Sequence, residues 1–228
     1  MVIGIIAACI TGYFLYENKK EYWEVQARDT FDEALTEEMQ KRSGMEVFFC
    51  TEVNIHMPVD KKKEPITVFM ETEYGKKNFV IPYEKHTHNI IRSSDQRMLY
   101  TYLLYKDPLK ADSLNMTWSD LLAKVKFPGK TIVRVSVTDW WEHETNAYSN
   151  DLSYLSKSDS LVSCYLGYRC EVGVTGFTYS AWWKVLTLKD KILLGALVVA
   201  SLLLFFVQEF MADVDEKAHF FFVYLLFM

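Results

Sequence analysis

Apolar positions cluster at the two ends of the chain and charged positions lie between them. Residues 1–16, MVIGIIAACITGYFLY, carry no charge, and neither do residues 192–207, ILLGALVVASLLLFFV. As a helix each run spans about 24 Å, against a hydrocarbon core of about 30 Å. Aromatic residues suited to the headgroup level extend both runs. Tyr13, Tyr16, Tyr22 and Trp23 flank the first, and Trp182 and Trp183 precede the second. The pattern predicts two transmembrane helices, 1–16 and 182–210, on either side of a central region. The first run has neither a basic leader nor a clear small-residue cleavage site, which favours an uncleaved anchor over a signal peptide. The tail, 211–228, closes on FFVYLLFM and reads as a segment cut short.

The central region begins with a helical period. Trp23, Ala27, Phe31, Leu35 and Met39 recur every four residues and form one stripe. No Pro or Gly falls between Tyr13 and Arg42, so the spacing predicts an amphipathic helix over 17–44 that continues from the first span. Ser43-Gly44 ends it. The stripe is expected to be a dimer contact, pairing two copies through the membrane-proximal helix. Strand patterns follow over 45–57, then over 66–74 and 78–83, the last two predicted to form a hairpin around Gly75-Lys76-Lys77. Val68, Met70, Thr72 and Tyr74 are expected to share one face of it, and Phe79, Ile81 and Tyr83 one on the return. Two helices come next. The first follows Ser93-Ser94-Asp95, with Met98, Leu99, Tyr102 and Leu103 as its expected apolar face. The second starts near Asp112 and aligns Leu114, Trp118, Leu121, Leu122 and Val125. Strands are predicted over 131–141 (Val133, Val135 and Val137 on one face), within 142–150 and over 168–179, with a short helix over 158–166. The order fits an α+β domain, 45–181, in which an antiparallel sheet carries helices on one face.

The charge balance narrows the class. Of the 25 Lys and Arg, 24 fall between residues 17 and 191, and so do 26 of the 30 Asp and Glu. That is an ordinary folded-domain balance, with half the chain apolar, and it excludes disorder. The net charge of -5 argues against nucleic acid as a partner. Lys19, Lys20 and Arg28, with Lys184, Lys189 and Lys191, would place the central region in the cytoplasm by the positive-inside rule. That rule weakens for long loops, and the architecture points to an extracytoplasmic domain.

No phosphate-binding glycine loop, nucleophile elbow or paired-carboxylate spacing is present, so neither an enzyme nor a cofactor is expected. His86 and His88 would share a side if they lay on a strand, and with His143, Glu84 or Glu144 they could ligate zinc or copper; two exposed loop histidines are the plainer reading. Trp140, Trp141 and Glu142 form the most unusual local cluster. Alternation sends the two indoles to opposite sides, one into the core and one outward as a ligand or partner surface. Cys164 could bridge Cys170, or Cys50 could bridge Cys170, if the Cα atoms approach within about 7 Å; buried free thiols are the alternative.

The anchor, the helix ARDTFDEALTEEMQKRSG, the phrases HTHNI and DPLKADSLNMTWSDLLAK, the strand KTIVRVSVTD and the segment YLGYRCEVGVTGF before a second span together resemble the sensor halves of bacterial membrane-anchored signalling proteins. These are sensor histidine kinases and membrane-tethered helix-turn-helix regulators. The resemblance implies an extracytoplasmic sensor of the PAS or Cache kind in the inner membrane, responding to a signal ligand or protein partner. The chain carries no phospho-accepting kinase core and no DNA-reading helix after Phe210, and the resemblance transfers no functional residue.

Overall fold

A computed structural model describes residues 2–43, 64–149 and 152–226. The strand expected over 45–57, with Cys50 and His56, lies outside the described residues. The chain divides into two units, one of residues 23–180 and one of residues 1–22 with 181–228.

The first unit is α+β. Its sheet has four antiparallel strands in the order β4-β3-β6-β5, where β3 is Lys130–Thr138, β4 Glu144–Tyr148, β5 Asp159–Leu166 and β6 Val172–Tyr179. Val135 pairs with Val174, Cys164 also with Val174, and Leu166 with Val172. These side chains share one face with Val133, because every second residue of a strand points the same way. Three helices supply the other half of that core: α1 (Val2–Ser43), α3 (Ser94–Lys106) and α4 (Ala111–Lys124). Helices on one face of an antiparallel sheet are thus what forms. A separate two-stranded hairpin, β1 (Ile66–Thr72) and β2 (Gly75–Ile81), and a short helix α2 (Tyr83–Thr87) complete the unit with a 3₁₀ turn over Leu152–Lys157.

The stripe of α1 is spent inside its own domain. Ala27, Phe31, Leu35 and Met39 are buried, and Trp23 packs edge-on against Phe127 at 6.0 Å. Phe31 meets the Trp118 ring of α4 at 4.9 Å, and the Trp118 indole N–H donates to the Ala27 carbonyl at 3.0 Å. Both rings press on β6 at Gly176, where a Cβ would come within 2.9 Å of Phe31 and 3.1 Å of Trp118. The dimer role expected of Trp23, Ala27, Phe31, Leu35 and Met39 is therefore corrected. Periodicity marks a buried face without saying what buries it, and here the partner is the chain's own sheet and α4.

A buried carboxylate fastens the end of α1. Glu38 accepts from Lys41 Nζ at 2.8 Å, Arg42 Nη1 at 2.9 Å, Ser113 Oγ at 3.0 Å and Thr117 Oγ1 at 3.1 Å. Two donors come from α1 and two from α4. Burial alone would raise its pKa, but these four donors outweigh it and hold the carboxyl down to about 2.

Other expectations change. Residues 158–166 form strand β5 and not a helix. The local composition does not decide this, with one β-branched and one aromatic residue in Ser160–Leu166; the antiparallel ladder that β6 offers, with a bulge between Ser160 and Val162, does. On α3 the buried residues are Arg97, Tyr100 and Leu104, whereas Met98, Leu99 and Tyr102 are exposed. Apolar residues occupy both sides of that helix, so composition did not choose its face. The hairpin turns at Glu73-Tyr74, with Gly75 opening β2 at φ +117, a conformation that suits glycine. Val137 and Val125 are exposed rather than buried.

The second unit contains α5 (Trp182–Val185) and α6 (Leu188–Leu226). Thr187 caps α6: its hydroxyl accepts from the Asp190 N–H, and the Asp190 carboxylate accepts from the Thr187 N–H at 2.9 Å. This is the reciprocal capping pattern of a helix start. Within α6, Leu188–Val207 is long and apolar enough to cross a membrane. Among the described residues it is the one stretch that is, so the two expected transmembrane helices reduce to one that meets the requirement. The uncharged N-terminal run is helical as part of α1.

Candidate functional site

The Trp140-Trp141-Glu142 cluster sits on the loop between β3 and β4, and the chain builds that loop deliberately. The Asp139 carboxylate accepts from the His143 N–H at 2.8 Å, the Asp139 N–H donates to the His143 carbonyl at 3.0 Å, and the Glu142 N–H donates to the Asp139 carbonyl at 3.2 Å. Glu142 takes φ +70 to close the turn. Arg169, from the turn between β5 and β6, donates to the carbonyls of Thr138 at 2.7 Å and Asp139 at 2.6 Å. Two strands and a neighbouring turn thus hold one short loop.

The β1–β2 hairpin docks on this loop. Lys77 Nζ lies 2.6 Å from the Glu142 carboxylate and donates to the Trp140 carbonyl at 3.2 Å. Phe79 packs edge-on to Trp140 at 5.1 Å, and the Arg169 guanidinium covers the Phe79 ring at 4.8 Å. Tyr74, at the hairpin tip, contacts Trp140 at 6.2 Å and Trp141 at 5.7 Å. Trp140 is thereby an internal support, while Trp141 is 62% exposed and Tyr74 55% exposed. The strand expected over 131–141 ends at Thr138, so both indoles lie in a turn where strand alternation does not set their sides, and Trp140 is half-buried under the hairpin rather than in the core.

The electrostatics follow from the contacts. The Lys77 hydrogen bond and charge hold Glu142 below the usual carboxylate range. Burial pushes Asp139 up, but the His143 backbone bond and imidazole bring it below its ordinary value. The Glu73 charge and the nearby Tyr105 phenol raise Tyr74. Tyr105 belongs to the outer side of α3, so the exposed surface runs from Trp141 through Tyr74 to Tyr105, which is 75% exposed. One turn back along α3 lie Tyr102 and then Leu99 and Met98, all exposed. What this surface offers chemically is flat aromatic contact area with hydroxyl tips and no cluster of nucleophile and base.

The metal reading gains no geometry. His86 lies in the short helix α2 and His88 caps it, so positions two apart diverge around a helix where a strand would have aligned them. His88 Nδ1 is 2.7 Å from the Glu84 carbonyl, and His143 pairs with Asp139 at 3.3 Å. Burial and the Arg97 charge lower His86. No group of three ligating side chains assembles among the described residues. Cys164 and Cys170 are buried free thiols, both raised by burial, so they do not bridge one another. Cys170 instead accepts from Asn89 Nδ2 at 3.4 Å, beside the Asn89 bond to the Gly167 carbonyl at 2.9 Å.

Sequence reasoning found Trp140, Trp141 and Glu142 but not Tyr74, Lys77, Phe79 or Arg169, which make the corner. Compared with known proteins, the chain matches no family model, and no curated protein and no solved structure resembles it significantly.

Proposed function

We propose that the chain is the sensing domain of a membrane-anchored signalling protein. On this reading residues 23–180 face the extracytoplasmic side, recognise a ligand or protein partner at the Tyr74–Trp141 surface, and pass its engagement toward the membrane through α1. The observation that carries the reading is the double use of α1. It is one helix from Val2 to Ser43, its first sixteen positions uncharged, and its last turns are core residues locked to α4 through Glu38. A helix that is both anchor and core cannot stay still when the core rearranges, and a ligand acts by favouring one arrangement over another. The reading keeps a homodimer but moves its contact away from the 23–39 stripe.

A photoreactive residue at position 141 tests the reading in intact membranes. Crosslinking to a defined partner is expected, lost with Tyr74→Ala, and accompanied by altered amide exchange along 23–43. Crosslinking that ignores Tyr74→Ala and leaves α1 unchanged would overturn it. A docking module of an envelope scaffold is the second reading, favoured by the breadth of the exposed surface from Trp141 to Met98. It predicts the same crosslink with no change in α1.

A further inference from the structure

We propose that the outer face of the four-stranded sheet holds a small monocarboxylate, with Arg134 as its anchor. The site is separate from the Tyr74–Trp141 corner and does not rest on that reading.

Arg134 occupies the middle of β3, a central strand, and its neighbours Val133 and Val135 point into the core. Its own side chain therefore emerges on the opposite face. There Arg134 Nη2 donates to Thr175 Oγ1 at 3.1 Å, and Ser163 Oγ donates to the same oxygen at 3.3 Å. The guanidinium lies 5.7 Å from the centre of the Phe177 ring. Among the described residues Arg134 has that one hydrogen-bond partner and no ion pair, and its Nε is buried without an acceptor. A half-buried guanidinium with five donors and one neutral acceptor is poorly compensated.

The surroundings define a place rather than a bare charge. Tyr165 lies flat across Gly173, where a Cβ would come within 3.2 Å of its ring, and Lys85 of α2 sits over the Tyr165 ring at 5.5 Å. At the other end Tyr154 of the 3₁₀ turn stacks on Tyr179 at 5.2 Å. Arg134, Ser163 and Thr175 lie between these two covered ends, with Ser163 exposed. One guanidinium, two hydroxyls and an aromatic floor match a planar anion of single charge. A phosphate dianion would call for a second cation beside the first.

The full chain in lipid nanodiscs is titrated with acetate, benzoate and inorganic phosphate by calorimetry. Saturable benzoate or acetate binding is expected, stronger than phosphate and weakened at least about tenfold by Arg134→Gln. Ser163→Asp places a carboxylate beside the guanidinium, so it should abolish carboxylate binding and raise the Tm, which decides the matter even if Arg134→Gln misfolds. No saturable binding of either carboxylate, phosphate binding as tight as benzoate, or unchanged benzoate binding in Ser163→Asp would each overturn the proposal.

Discussion

Replacing Glu38 with Gln keeps the shape of the side chain and removes its charge from the junction of α1 and α4. Lys41 and Arg42 then face an amide that offers one acceptor where two carboxylate oxygens stood. Arg42 matters most, because its side chain is 7% exposed and its other acidic neighbour, Asp107, is 3.6 Å away and largely in solvent. A carboxyl held at about 2 instead of 4.5 corresponds to about 3 kcal/mol of folding free energy at neutral pH. The Lys41 partner is mostly in water, so screening trims this to about 2 kcal/mol. For a domain of this size that is a fall in Tm of roughly 4–8 °C. The sign with pH is fixed: a depressed carboxyl contributes fully above its unfolded pKa and loses that contribution as pH falls from 4.5 toward 2. Urea unfolding of the full chain, wild type against Glu38→Gln, followed by tryptophan fluorescence at pH 7 and below pH 2, measures the effect. The gap should be about 2 kcal/mol at pH 7 and close at the lower pH. Equal stabilities at pH 7, or a gap that persists at low pH, would refute the clasp.

Three further outcomes are expected. Asp32 is raised to about 6 by burial and by Asp29, against Arg28; such a group stabilises below its unfolded pKa of 3.8 and loses this as pH rises through 6, so Asp32→Asn should stabilise by about 1–2 kcal/mol at pH 7.5 and not at pH 3.5, read from the same urea curves. Together with Glu38, whose contribution rises between pH 2 and 4.5, this places the wild-type stability maximum of the pair near pH 4, measurable as a Tm profile. Gly176→Ala drives a methyl into Phe31 and Trp118 and should cost about 1–3 kcal/mol, whereas Gly195→Ala, inside α6 with open space around it, should not lower the Tm in thermal melts, because alanine favours a helix interior by about 0.5–1 kcal/mol. Trp140→Ala should cost about 2 kcal/mol by releasing Phe79 and the hairpin, while Trp141→Ala should stay within about 0.5 kcal/mol, compared by hydrogen exchange over β1 and β2.

The parts of the fold legible beforehand are those whose local period and final environment agree. Leu114, Trp118, Leu121 and Leu122 are all buried on α4, and Val133 and Val135 on β3. Residues 158–166 were not legible, because a short apolar run serves a helix or a strand equally until its ladder partner is known. Arg97 shows the same limit on α3: a charged residue is buried because its Nε reaches the Ile91 carbonyl, a contact no periodicity carries. In the candidate site the tryptophan pair stood out by composition. Its supports did not, since Lys77 lies 63 residues from Trp140 and long-range contacts leave no local signature. The Glu38 clasp was hidden in the same way, split between α1 and the first turns of α4.

The central claim is that α1 is a core element of the domain from Ala27 to Met39. Amide hydrogen exchange of the full chain in nanodiscs tests this directly. Amides from Ala27 to Met39 should exchange only with global unfolding, at the rates of β3 and β6, and Glu38→Gln should speed all three together. Exchange of α1 that runs ahead of the sheet, independent of Glu38, would make it a surface spacer and contradict the account.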